Sequence, residues 1–340
     1  MIEAESRDLT LQSDYKDLLR GFLENKSEQD LYGAQQYSKR LLENQISPED
    51  MVSLHCEVLE EMFEEISPEI KESFSVLLEV MVGYGLAYRE HQSLRDKQKE
   101  LEMQIDVAAK MQQTLLPKKI PQLPDVDIGV TSVPAGKMSG DYYYCVKNEG
   151  GHLGVAIADI IGKGIPAAMC MSMIKYGIDS IPAHRMEPSS LLENLNRVVA
   201  QNIDASMFIT MMYGSYNPNQ HTFTYSGAGH EPGFYYIAAR DEFVDLYAKG
   251  LVLGVSKSTT FREYSHEVEV GDAIILLSDG VTECRVGERF IERTEITDII
   301  RRYIDRPAQE IVEKVYDELA QLQDFELKDD FTLMFLRRQV

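Results

Sequence analysis

The sequence predicts an α+β protein, with an all-α N-terminal region preceding a domain of sheets layered between helices. Two observations predict it. Pro117, Pro121 and Pro124 cluster at one point in the chain, where they end any preceding helix and mark a boundary. Before that boundary, apolar residues recur at helical spacing. After it, short apolar runs of strand length come in groups, with pairs of helical runs between them. Paired helices separated by runs of strands indicate α+β rather than alternating βαβ.

Residues 1–92 read as a helical bundle. Their only prolines, Pro48 and Pro68, follow Ser47 and Ser67 and are followed by Glu49 and Glu69. This serine-then-proline form starts a helix, because serine caps the free amide groups and proline needs none. Leu18, Leu19, Phe22 and Leu23 make one apolar face. Met51, Leu54, Val58, Leu59 and Met62 make another, and Phe74, Leu77, Leu78, Val80, Met81 and Tyr84 a third. Four helices are expected, at about 10–25, 28–45, 48–65 and 68–92. The region holds no acid–base pair or ligand cluster, so an interaction or dimerisation module is expected.

Residues 93–120 form a linker. Tyr88 to Leu116 contains no glycine or proline, and Leu94, Leu101, Ala108 and Leu115 fall seven residues apart. The companion heptad position holds Gln98, Ile105 and Gln112, so the seam is half polar, which costs coiled-coil stability. The reading is a parallel coiled-coil-like helix between two copies of the chain. The other reading is one amphipathic helix packed on its own chain.

Residues 121–340 carry the sheets. Strands are expected at Val126–Val133, Tyr142–Val146, Leu153–Ala158, Phe208–Tyr213, Phe223–Ser226, Gly233–Tyr236, Phe243–Leu246, Ala273–Leu277 and Phe331–Leu336. Helices are expected at about 164–182, 188–203, 294–304 and 307–322.

The 340 residues are enough for two domains with separate cores. The net charge of -22 argues against nucleic-acid binding, which needs clustered Lys and Arg to neutralise phosphates. Cys56, Cys145, Cys170 and Cys284 form no CxxC pair and have no zinc-like histidine spacing, so free thiols are expected. No signal segment and no run of membrane-spanning length is present, so a cytoplasmic protein with no membrane partner is expected.

The chemistry lies in the aspartates. Asp141 sits in a Ser-Gly-Asp turn, and Asp159 ends the apolar run Leu153–Ala158, followed by Gly162 and Gly164. Asp279 ends a second apolar strand in an Asp-Gly turn, and Asp329 and Asp330 lead into the last strand. One aspartate in a turn is ordinary. Four such sites, if they converge, repel one another and require cations. Mg²⁺ and Mn²⁺ favour carboxylate, carbonyl and water ligands, and two such ions can activate water for in-line displacement at phosphorus.

The pattern SGD…D-x-x-G-K-G…SDGVTE…DDFT resembles the metal-dependent PPM-type serine/threonine phosphatases of the SpoIIE-like branch. The helical N-terminal region and the stretches MVGYGLAYREHQ, NIDASMFIT and GAGHEPGFYY resemble the RsbU-like stress-response phosphatases of Gram-positive bacteria. The resemblance implies an αββα sandwich over residues 121–340. It implies Asp159 bridging two Mn²⁺ or Mg²⁺ ions, with the Ile160 carbonyl, Asp141, Asp279 and Asp329 as further ligands. Asp159, Asp279 and Asp329 would act in catalysis through metal-activated water. Asp330 stands where many relatives carry Asn, and is expected to support the ligands. Tyr144 stands where many relatives carry a further Asp. No basic residue for the phosphate is evident before Asp141, and Lys137 is a candidate by position alone.

His230, in Gly227-Ala-Gly229-His230-Glu231, has two readings: a proton donor to the leaving oxygen, or a structural hydrogen-bonder. Met207 to Met212 reads as a core strand, and Glu283 as a solvated acid. By resemblance the substrate is a phosphorylated STAS-type anti-sigma-factor antagonist. The N-terminal bundle would form a homodimer and bind a kinase-like switch protein as activator. The alternative is a catalytically inactive phospho-binding regulator of the same fold.

Overall fold

The computed structural model describes residues 2–44, 46–148, 150–162, 164–182, 187–204, 206–287 and 289–340. Lys163, in the loop after Asp159, lies outside the described residues. The chain divides into two compact units, Met1–Leu101 and Glu102–Val340.

The first unit contains α1 (Ile2–Asn25), α2 (Glu28–Glu43), α3 (Pro48–Met62) and the first part of α4 (Pro68–Gln113). Ser27 caps α2, and Ser47 makes a capping box with Asp50 at the start of α3, where Pro48 occupies the first turn. Tyr37 and Val58 are buried between the helices. The Tyr15 hydroxyl bonds His55 Nδ1 at 2.7 Å, and the Tyr37 hydroxyl donates to the Leu11 carbonyl at 3.0 Å. Helix α4 runs unbroken past residue 92 into the segment read as a helical linker. Leu94 and Leu101 are 60% and 59% exposed. The heptad pattern does not continue to Leu115 as a seam. The helix ends at Gln113, and Leu115 and Leu116 turn into the core of the second unit.

The second unit is a four-layer αββα sandwich. Its elements are β1 (Val126–Val133), β2 (Asp141–Lys147), β3 (Leu153–Ile160), α5 (Ile165–Asp179), α6 (Pro188–Asn202), β4 (Ile209–Asn217), β5 (Thr222–Ala228), β6 (Gly233–Ile237), β7 (Glu242–Leu246), β8 (Tyr264–Glu267), β9 (Ala273–Leu277), α7 (Asp279–Thr282), β10 (Arg285–Val286), β11 (Arg289–Phe290), α8 (Arg293–Arg302), α9 (Ala308–Leu322) and β12 (Phe331–Arg338). One antiparallel sheet has the order β1-β12-β9-β6-β7 and the other β2-β3-β4-β5-β8. The sequence reading omitted β8, an edge strand whose Tyr-Ser-His-Glu carries too little apolar signal, and the two-residue strands β10 and β11.

Strand β3 shows why its sequence is apolar without alternation. Val155 and Ile157 pack in the core between the sheets, while Ala156 and Ala158 pack under α5 and α6. A strand covered on both faces loses its polar positions. Across the sandwich, Ile296 of α8 and Ile311, Val315 and Leu319 of α9 cover Ile275 and Leu277 of β9 and Leu333 of β12. Each fully buried Ile or Leu of this kind is worth about 2–5 kcal/mol against alanine. No described helix is long and apolar enough to cross a membrane.

Candidate metal centre

Strand alternation carries the aspartates to one end of the sheets. In β2 the residues facing the other sheet include Cys145, and two steps of two back along the strand reach Asp141. In β3 the same face holds Val155 and Ile157, and the next position is Asp159. On the opposite sheet, Ile274 and Leu276 lead to Ser278, and Leu336 and Met334 lead back to Thr332 and Asp330. The apolar layer between the sheets therefore ends in a polar cap. Asp141 and Asp159 are direct partners in the β2–β3 register. Across the sandwich, β9 and β12 pair antiparallel with Leu277 opposite Leu333, which brings the end of one to the start of the other. Asp279 and Asp329 follow at that end.

Hydrogen bonds tie the two sides together. The Asp330 carboxylate accepts from the Gly140 amide at 2.6 Å and from the Ala135 amide at 2.7 Å. The Ser278 amide donates to the Thr332 carbonyl at 3.0 Å, and the Ser278 hydroxyl donates to the Asp330 carbonyl at 3.1 Å. Within the Ser-Gly-Asp turn, the Asp141 amide donates to Ser139 Oγ at 3.0 Å and the Ile160 amide to the Gly140 carbonyl at 3.1 Å. A Cβ at Gly140 would stand 3.1 Å from both Asp159 Oδ1 and the Ile160 carbonyl oxygen. Both oxygens therefore border the Ser-Gly-Asp turn.

The electrostatics are those of crowded acids. Burial pushes the Asp141 carboxyl well above its ordinary range, and the charges of Asp159 and Asp330 push the same way against hydrogen bonds from Thr332 and Ser278. Asp141 is 2% exposed and its Oδ2 is buried with no hydrogen-bond partner among the described residues. Burial, then the charges of Asp279, Asp329 and Asp330, raise Asp159 to about 7. Asp279 is raised by burial, then by Asp329 and Glu283. Among the described residues, the charges acting on these three groups are all negative. An orphaned buried oxygen and three carboxyls raised by burial and by neighbouring carboxylates form a donor set that suits a hard divalent cation, which would reverse the shifts. Among the described residues no three His, Cys, Asp or Glu side chains close on a single point tightly enough to hold an ion. The carboxylates share one end of the sheets without converging fully.

Other expected positions fall elsewhere. Tyr144 lies on the helix-facing side of β2, 6% exposed against Tyr213, the face opposite Asp141. Lys137 pairs with Asp106 of α4 at 2.8 Å, and both are about half exposed. Glu283 is exposed; its amide donates to the Asp279 carbonyl at 2.7 Å and its charge raises the Asp279 carboxyl. His230 is buried, with Nδ1 2.8 Å from Thr210 Oγ1 and Nε2 3.2 Å from the Leu277 carbonyl oxygen. Both ring nitrogens are engaged, which favours the structural reading over proton donation. Met211 and Met212 are buried on opposite faces of β4, as core residues.

Sequence reasoning missed Gln112. It is 5% exposed, and its amide brackets the Ser139 backbone: Nε2 donates to the carbonyl at 2.6 Å, and the Ser139 amide donates to Oε1 at 3.0 Å. Its polar side chain at a heptad position was the available signal. Ser278 and Thr332 were also missed, although each adjoins a quoted aspartate motif.

The Stage II sporulation protein E family matches residues 149–339. The N-terminal domain of phosphoserine phosphatase RsbU matches residues 13–87. Phosphoserine phosphatase RsbU of Bacillus subtilis is 52% identical over 326 residues, covering 96% of this chain and 97% of that one. The SiaA-PP2C domain of Pseudomonas aeruginosa superposes with a TM-score of 0.61 at 18% identity, covering 71% of this chain and 98% of that one. The catalytic domain of the serine/threonine phosphatase PstP, solved in complex with two manganese ions, superposes with a TM-score of 0.50 at 13% identity, covering 64% of this chain and 99% of that one.

Proposed function

We propose that this chain, which belongs to the RsbU family of SpoIIE-type protein phosphatases, removes phosphate from serine or threonine of a STAS-type anti-sigma-factor antagonist with the help of two Mn²⁺ or Mg²⁺ ions. The observation that carries the reading is the orphaned, buried Asp141 oxygen on the residue directly opposite Asp159 in the β2–β3 register. Asp159, the Ile160 carbonyl, Asp279 and Asp329 would hold the ions, with Asp141 completing the set. When bound, the ions would supply Lewis acidity and lower the pKa of water for attack at phosphorus.

The protein's own contribution is position and charge. Asp159 lies in a strand of one sheet and Asp279 follows a strand of the other, so these residues would hold an ion from both sides of the sandwich rather than from one loop. Asp330 spends both carboxylate oxygens on backbone amides of residues 135 and 140, and acts by holding the Ser-Gly-Asp turn. Burial at the end of the inter-sheet core lowers the local dielectric, which strengthens cation binding to the carboxylates.

The identity over 96% of the chain to a phosphatase named for phosphoserine, together with the N-terminal match at residues 13–87, supports the finer assignment. On that reading the helical unit of residues 1–92 forms a homodimer and receives a kinase-like switch protein as activator, residues 93–120 link it to the phosphatase domain of residues 121–340, and the outcome is release of a stress-response sigma factor. The exposed Leu94 and Leu101 suit pairing of two copies along α4.

The test is Mn²⁺-dependent release of phosphate from a phosphoserine-bearing STAS protein, with and without the activator. Wild type should release phosphate and Asp159→Ala should not. No release by wild type under any condition, with retained binding of the phosphoprotein, would favour the inactive regulator instead.

A further inference from the structure

His230 stands where the chain crosses from one sheet to the other. Strand β5 belongs to the β2-β3-β4-β5-β8 sheet and β6 to its partner, and residues 229–232 make the passage. The ring bonds both sheets, to Thr210 of β4 and to Leu277 of β9. A carbonyl oxygen can only accept, so Nε2 carries the proton. The neutral ring then accepts at Nδ1, and the Thr210 hydroxyl donates. Burial pushes the His230 pKa down to about 4, which keeps the ring in this one-donor, one-acceptor form at neutral pH.

Both partners adjoin the carboxylate site. Thr210 is the direct register partner of Asp159 in the β3–β4 ladder. Leu277 is the last residue of β9, two residues before Asp279. Another cross-link between the sheets near this end, from Asp330 to the Gly140 amide, acts through loops. The His230 link acts on the strands themselves.

We infer that His230 is a positioning residue: by bonding Thr210 and the Leu277 carbonyl it sets the distance between Asp159 and Asp279, and with it the affinity of the site for a divalent cation. The inference rests on the metal-dependent reading above. The buried cores on both faces of β3 and β4 persist without this link, so its loss lets the two strand ends part without unfolding the sandwich. Loss of partners that orient metal ligands typically weakens metal binding about tenfold or more.

The experiment uses the full chain and reads Mn²⁺ binding directly, by electron paramagnetic resonance of free Mn²⁺ or by calorimetry, beside thermal unfolding and phosphate release. Thr210→Val keeps the side-chain shape and removes the hydroxyl; Thr210→Ser keeps the hydroxyl. Thr210→Val and His230→Ala should each weaken Mn²⁺ binding about tenfold, and Thr210→Ser should restore it. Should His230→Ala fail to fold, the threonine pair decides alone. If Thr210→Val lowers thermal stability but leaves Mn²⁺ affinity at the wild-type value, the positioning role is overturned and His230 only supports packing. If wild type itself neither binds Mn²⁺ nor releases phosphate, the proposed function fails, an outcome distinct from the first.

Discussion

The Gln112 side chain and the Ser139 backbone exchange two hydrogen bonds, of 2.6 and 3.0 Å, in a buried setting. Gln112 is the penultimate residue of α4, and Ser139 opens the Ser-Gly-Asp turn that ends at Asp141. The last turn of the long helix thus holds the loop that presents the most deeply buried carboxylate of the site. Gln112→Ala should leave the Ser139 amide and carbonyl without partners, at about 1–3 kcal/mol. The expected outcome is a lower melting temperature and a higher Mn²⁺ requirement for phosphate release, with activity recovered at saturating Mn²⁺. An unchanged Mn²⁺ titration would show that the clamp serves stability alone.

The raised carboxyl of Asp159 has a pH signature. Its folded pKa, about 7, lies above the ordinary aspartate value, so the folded state holds a proton that the unfolded chain has already lost. Between those two values stability falls as pH rises. The metal-free protein should therefore melt at lower temperature at pH 8 than at pH 5.5, more steeply than Asp159→Asn measured beside it. Saturating Mn²⁺ should remove most of the difference, since the cation favours the ionised form. Differential scanning calorimetry over this range checks all three statements.

Asp330 is expected to behave as a brace. Asp330→Ala deprives the amides of Ala135 and Gly140 of a charged acceptor in a buried setting, a loss on the order of 2–3 kcal/mol. Asp330→Asn keeps one acceptor oxygen and should recover part of that stability. Chemical denaturation of the three proteins orders them; equal midpoints would remove the brace from the account.

Gly280 leaves no room for a side chain. A Cβ there would stand 2.1 Å from the Asp330 carbonyl oxygen, a backbone atom that cannot swing aside. Gly280→Ala should force the turn at Asp279 away from the 329–330 loop, costing about 1–3 kcal/mol as overpacking does. Phosphate release should fall more than the melting temperature alone explains, because Asp279 and Asp329 flank the clash.

Much of this protein was legible in its sequence. Ser47 with Pro48, the heptad leucines and the apolar run Leu153–Ala158 announce helices and a doubly covered strand through local chemistry alone. The four aspartate sites stand out because each ends an apolar run or sits in a turn, and their shared pattern points to the family. Strand alternation even determines that Asp141 and Asp159 face the same way as Cys145 and Ile157.

Tertiary structure decided the rest. Leu115 has the same heptad phase as Leu94 and Leu101, yet it packs into the sandwich while they stay exposed. Periodicity records which residues share a face and says nothing of what covers that face. Gln112 read as a flaw in a seam until its partner, 27 residues away, supplied both hydrogen bonds. His230 had two chemical readings, and only the positions of Thr210 and Leu277, brought together by folding, engaged both its nitrogens. The pKa shifts of Asp141 and Asp159 likewise come from burial and from charges distant in sequence. A sequence carries donors, acceptors and apolar faces as an inventory; which of them meet depends on the packing of two sheets, and that packing brings four turn aspartates to one end of the sandwich.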